Sequence, residues 1–139
     1  PYYQKDKDLI EKIQHRFTKM IPNISHLSYE ERIEILHLWT LEERRNRADL
    51  IQVFKMYSGA SAPSFGDFFE VDSRGRTRGH SLKLVKHRSS TLVRQMFFSE
   101  RVVNNWNRLS AETVASTSLE QFKNRLSKLR EAKKGLFRD

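Results

Sequence analysis

Leu9, Ile10, Ile13, Phe17, Met20 and Ile21 recur at three- and four-residue steps near the start of the chain, and Pro22 ends the run. That period predicts an amphipathic helix whose apolar arc faces a core. Lys5, Lys12, Arg16 and Lys19 form an adjoining stripe on the same helix. In "SYEERIEIL", Ser28 precedes Glu31 by three residues, the pattern of a capping box. "TLEERRNRADLIQVFKMYSG" repeats the device with Thr40 and Glu43. It carries the arc Leu50, Ile51, Val53, Phe54 and Tyr57, and Gly59 supplies a natural C-terminal glycine. Helices joined by such short connections pack up and down, so residues 1–59 are expected to form one three-helix unit.

The pattern changes after Gly59. Residues 60–68, "ASAPSFGDF", carry turn chemistry at Pro63 and Gly66 and open a second region, 60–139. "FFEVD" and "HSLKLVKH" read as short extended pieces on either side of "SRGRTRG", with Leu82 and Leu84 alternating against Lys83 and Val85. A hairpin and a long basic loop both satisfy this alternation. Helical spacing returns in "LVRQMFFSERVVNNWNRL" through Phe98, Val102, Trp106 and Leu109. Ser118 with Gln121 starts a last helix with the stripe Leu119, Phe122, Leu126 and Leu129. The expected fold class is therefore mostly α. A three-helix bundle is followed by a small α+β region with a basic loop or hairpin and two further helices.

Charge sharpens this picture. The 139 residues carry 26 Lys/Arg against 17 Asp/Glu, a formal net charge of +9. The excess lies entirely in the second half, where residues 73–139 hold 16 Lys/Arg and 5 Asp/Glu. From Ser73 to Ser99 there is no acid at all, while Arg74, Arg76, Arg78, Lys83, Lys86, Arg88 and Arg94 accompany His80 and His87. Such asymmetry points to a polyanionic partner; a solvated, highly soluble face is the plainer reading. Gly75 and Gly79 would let backbone approach a phosphate, and arginine forks would grip its oxygens. The candidate nucleic-acid-binding residues are Arg74, Arg76, Arg78, His80, Lys83, Lys86, Arg88 and Arg94, joined by Lys12, Arg16 and Lys19 on the first helix.

Catalytic chemistry is not legible. "GRTRG" lacks the lysine-serine ending and the strand-to-helix setting of a nucleotide-binding loop. His15, His26, His37, His80 and His87 are scattered without metal-ligand spacing. Caps and the helix dipole account for Glu30, Glu31, Glu34, Glu42 and Glu43 more simply than a paired-carboxylate site does. No catalytic residue, metal or cofactor is assigned, and the chain is not expected to be an enzyme by itself. Arg47 falls on an apolar arc, where laying its stem on the core beside a carboxylate is the first expectation. Trp39 and Trp106 are expected in the core; stacking of Trp106 on a base is the lesser alternative.

Zero cysteines fit a reducing, intracellular setting, nuclear or cytoplasmic. No run of about 18 apolar residues offers a membrane span, so no membrane partner is expected. An opening at Pro1 with neither initiator methionine nor signal-peptide core reads as the edge of a longer polypeptide.

The order of motifs adds a resemblance. "LSYEERIEIL", "TLEERRNRADL", "RGHSLKL" and "FFSERVVNNWNRL" resemble, in sequence order and over nearly the whole chain, the C-terminal part of jockey-like, LINE-type (non-LTR) retrotransposon reverse transcriptases. The resemblance implies that residues 5–58 are similar to the polymerase thumb and that 60–139 form the region beyond it. It implies RNA, RNA–DNA hybrid or DNA as partner, and a polymerase palm upstream. The palm's metal-binding aspartates lie outside this chain, so no catalytic residue carries over. Ser110 stands where proline is common in the family, which puts the local turn in question. A domesticated fragment acting as a structural or protein-interaction module through its basic face is the alternative reading.

Overall fold

The computed structural model describes residues 3–62, 64–75 and 78–138; Pro63 and Arg76 among the residues singled out above lie outside these. Among the described residues the α-helices are α1 (Gln4–Lys19), α2 (Tyr29–Ile35), α3 (Leu41–Tyr57), α4 (Leu92–Gln95), α5 (Phe98–Asn107), α6 (Ala111–Val114) and α7 (Leu119–Ala132). Short 3-10 turns cover Pro22–Ile24 and Phe65–Asp67. The fold is mostly α. No helix among the described residues is long and apolar enough to cross a membrane.

The caps sit where the sequence places them. Ser28 and Glu31 form a reciprocal capping box on α2. Thr40 and Glu43 exchange bonds at the start of α3, the Glu43 carboxylate accepting from the Thr40 N–H at 3.2 Å. Ser118 caps α7, while the Gln121 side chain accepts from Thr117 N–H at 2.8 Å. Ser110 caps the short α6 by accepting from Thr113 N–H at 3.2 Å. Thus a hydroxyl cap starts the turn there.

Two compact units emerge, residues up to Arg45 and residues 46–138, with α3 running through both. The helical pattern places its break after Gly59, but the compact units part inside α3. The reason is that α3 spends its apolar arc in the second unit: Leu50, Val53, Phe54 and Met56 are all buried, and the Phe54 ring stacks on Phe122 of α7 at 4.4 Å.

In the first unit α1 is turned opposite to expectation. Leu9, Ile13, Phe17 and Met20 are 63, 68, 63 and 79 % exposed. The inward stripe is instead Lys7, Glu11, Gln14 and Thr18. Glu11 accepts from the Tyr29 hydroxyl with one carboxylate oxygen and from Leu41 N–H, at 2.8 Å, with the other. Gln14 donates to Tyr29 Oη at 3.0 Å and to the Trp39 carbonyl at 2.9 Å. The fully buried Thr18 hydroxyl accepts from Arg32 Nε at 3.2 Å. Burial, with the Glu11 bond second, holds the Tyr29 hydroxyl well above the ordinary range. A polar network, rather than an apolar seam, therefore joins α1 to α2 and to the start of α3. Trp39, expected in the core, is half-buried.

The second unit has an ordinary core. Leu50, Val53, Phe69, Leu84, Val102, Val103, Trp106, Leu109, Val114, Phe122, Leu126 and Phe137 are buried. Asp49 of α3 grips Arg101 of α5 through a two-pronged pair at 2.7 and 2.8 Å. The same guanidinium donates to the Met96 carbonyl at 3.0 Å. That contact explains a departure from the sequence pattern, which predicts one helix over 92–109. Phe97 is extended (φ −65°, ψ 146°), so α4 closes at Met96 and α5 starts anew. Of the two expected extended pieces, a single antiparallel bridge remains among the described residues, Val71 to Leu84.

Candidate nucleic-acid interface

The basic segment is built outward from α5. Val102, Val103, Trp106 and Leu109 repeat at helical spacing and fill the core, which points Trp106 and its neighbour Asn107 at residues 80–84. The indole Nε1 donates to the Leu82 carbonyl at 2.9 Å. The Asn107 amide donates to the Leu84 carbonyl at 2.9 Å and accepts from Leu84 N–H at 2.7 Å, taking the place of a neighbouring strand. The motif "NNWN" thus fastens "HSLKL", which turns at Ser81 and Leu82 and reaches its bridge to Val71 at Leu84. Sequence reasoning missed Asn107 because asparagine on a helix carries no period of its own.

His80 belongs to this anchor and is a correction to the expected contact set. It is 5 % exposed, with its ring edge-on to Trp106 at 6.0 Å. Its Nε2 lies 2.9 Å from the Trp106 carbonyl, and its Nδ1 is 3.2 Å from Leu82 N–H. A carbonyl only accepts and an amide N–H only donates, so the ring is neutral with the proton on Nε2. Its place is structural, because α5 covers the ring that a phosphate would need to reach.

Burial lowers the His80 pKa from its ordinary value of 6.5, with the Lys83 charge adding to the effect. The unfolded chain then binds the proton more readily than the folded one. Stability is fully present above the ordinary value of 6.5 and is lost as pH falls toward the depressed folded value. Urea unfolding between pH 5 and 7.5 should show the decline below about 6.5, with a slope of at most about 1.4 kcal/mol per pH unit from this group. His80→Gln should flatten it. An unchanged slope in that variant would remove His80 as the cause.

The remaining cations divide. Arg74 is folded back on Asp72, donating from Nε and Nη2 to the two carboxylate oxygens at 3.0 Å each, although its side chain stays 73 % exposed. This pair holds the Asp72 carboxyl below its usual range. Lys83 donates to the Arg78 carbonyl and crosses over Gly79, whose φ is +119°. A Cβ there would stand 3.0 Å from Lys83 Cε, the flexible end of a side chain that can move aside, so the conformation is what calls for glycine. Lys86 donates to the Glu100 carbonyl. Arg94 lies 3.7 Å from the buried Glu100 carboxylate and over the Phe97 ring at 5.7 Å. Arg78 and Arg88 are exposed, and neither side chain has a hydrogen-bond or ion-pair partner among the described residues. Arg76 lies outside the described residues. Lys12, Arg16 and Lys19 are exposed along α1, in the first unit.

No protein-family model, curated protein or solved structure matches the chain. The functional reading consequently rests on geometry and charge. Among the described residues, no group of three or more His, Asp or Glu is placed to hold a metal ion. Arg47, on α3, is half-buried, and desolvation lowers its pKa. Arg125 ties α7 to α6 through the Glu112 carbonyl and the Ser116 hydroxyl at 3.1 Å. These are framework roles.

Proposed function

We propose that this chain is the thumb and post-thumb segment of a LINE-type reverse transcriptase, a non-catalytic module that grips the phosphate backbone of RNA or of a primer–template duplex. One observation carries the reading. An acid-free sequence, 73–99, is fastened at 80–84 to Trp106 and Asn107, and its exposed Arg78 and Arg88 have no side-chain hydrogen-bond or ion-pair partner among the described residues. Arginine forks pair with phosphate oxygens at two points, and a held segment loses less chain entropy on binding than a free one. Backbone contacts give affinity and register and do not read sequence. The upstream palm of a longer polypeptide supplies the chemistry in this reading.

The test is fluorescence-anisotropy binding of the full chain to a recessed RNA–DNA primer–template. Arg78→Ala combined with Arg88→Ala should weaken binding about tenfold or more at low salt, since each charged contact contributes roughly 1 kcal/mol. Arg74→Ala, which removes a guanidinium already committed to Asp72, should cost less. Equal affinity in the wild type and the double variant would overturn the assignment of the grip to this segment.

A further inference from the structure

A stable helix in a small unit normally turns its apolar arc inward, yet α1 turns Glu11, Gln14 and Thr18 inward and leaves Leu9, Ile13, Phe17 and Met20 mostly bare. These four fall at steps of four, four and three and make one continuous ridge. One border of the ridge is lined by Lys5, Lys12, Arg16 and Lys19, all exposed. The other border carries Ile10 and Gln14, with a single carboxylate, Asp6, one turn before Ile10 at its N-terminal end; Asp8 stands beside Lys5 and Lys12 on the basic border. Between Leu9 and Met20 the only carboxylate is Glu11, and both of its oxygens are spent inside the unit on Tyr29 and Leu41.

We infer that this face of α1 is a docking site for an amphipathic helix that offers an apolar stripe flanked on one side by carboxylates. The chemistry of the face selects that occupant over three others. A phosphate backbone would satisfy the four cations but leave the apolar ridge against a polar surface. A flat anionic bilayer would use basic side chains on both borders, because both lie at the same depth. A second copy fails on charge. Antiparallel two-fold pairing brings the two basic borders together, and parallel pairing sets the four cations of each against a border with one carboxylate, Asp6. A helix with apolar residues at i, i+3, i+4 and i+7 and glutamates along one flank covers the ridge and pairs the border at once. The inference is independent of the nucleic-acid reading, which rests on the second unit.

The experiment uses the full chain and two designed peptides of about 20 residues, long enough to form helix on binding. Both carry the same leucine stripe; one has glutamates along one flank, the other lysines. Isothermal titration should show the glutamate peptide binding about tenfold or more tighter than its lysine twin, the size expected from several rim charge pairs. Ile13→Glu with Phe17→Glu should weaken the glutamate peptide about a hundredfold, since both anchors are lost. Lys12→Glu, Arg16→Glu and Lys19→Glu together should reverse the preference between the peptides. These positions are exposed, so circular dichroism and thermal unfolding should stay close to the wild type. If the apolar double variant does not fold, the twin peptides and the charge reversal still decide.

Equal binding of both peptides, or binding of neither, would overturn the inference. So would Ile13- and Phe17-dependent binding to phosphatidylserine vesicles or to an RNA–DNA duplex in place of the glutamate peptide. Self-association by sedimentation that the double variant abolishes, without peptide binding, would assign the face to a second copy instead.

Discussion

Trp106→Ala should lower the unfolding free energy of the second unit by about 4 kcal/mol, read by urea denaturation. The indole is fully buried, packs against Phe122 at 6.1 Å, and donates from Nε1 to the Leu82 carbonyl. Removing it opens a cavity at the centre of the core and also frees the segment that carries the basic stretch. Trp106→Phe separates the two effects. It keeps most of the ring volume and gives up the bond to Leu82, for a cost of about 1–2 kcal/mol. Nucleic-acid binding should then weaken in the alanine variant even at temperatures where it is folded, because residues 80–84 lose their anchor. A loss below about 1 kcal/mol for Trp106→Ala would contradict the position given to this side chain.

The second large effect concerns α1 and reverses what its sequence pattern suggests. Glu11→Ala should destabilise the first unit by about 2–3 kcal/mol, since Leu41 N–H loses its acceptor at the start of α3 and Tyr29 loses a charged one. Ile13→Ser, at a position the apolar period would place in a core, should cost less than about 0.5 kcal/mol because the side chain is 68 % exposed. Measured side by side by thermal unfolding, the glutamate change should be the larger. The opposite ranking would show that α1 packs through its apolar arc.

The comparison of pattern and structure explains what a sequence can carry. Ser28, Thr40 and Ser118 were legible as caps because a cap is a contact across three residues. The core place of Trp106 was legible from its spacing with Val102 and Leu109. The orientation of α1 was not: periodicity finds an apolar arc but does not name what it faces, and the deciding contacts, Glu11 to Leu41 and Gln14 to Trp39, span 30 and 25 residues. The break between α4 and α5 was hidden for the same reason, since Arg101 is positioned by Asp49, 52 residues away. His80 looked like part of a basic run because residue type was the only signal at that position. Its partner, the Trp106 carbonyl, has no sequence signature. The basic stretch itself was legible as charge, but which of its cations bond within the protein was not. Arg74, Lys83, Lys86 and Arg94 turn to partners within the protein, and Arg78 and Arg88 remain directed to solvent contact.

The most direct test of the central claim is a salt series on the wild-type chain and on the Arg78→Ala, Arg88→Ala variant, with recessed RNA–DNA primer–template, single-stranded RNA and duplex DNA as ligands. Each neutralised phosphate contributes about 0.7–0.9 to the slope of log K against log salt, so the variant should lose about 1.5 from the wild-type slope. Steep binding that the variant flattens by that amount, strongest on the primer–template, is the result this account predicts. A folded chain that binds none of the three at low salt, or a slope that the two substitutions leave unchanged, would contradict it.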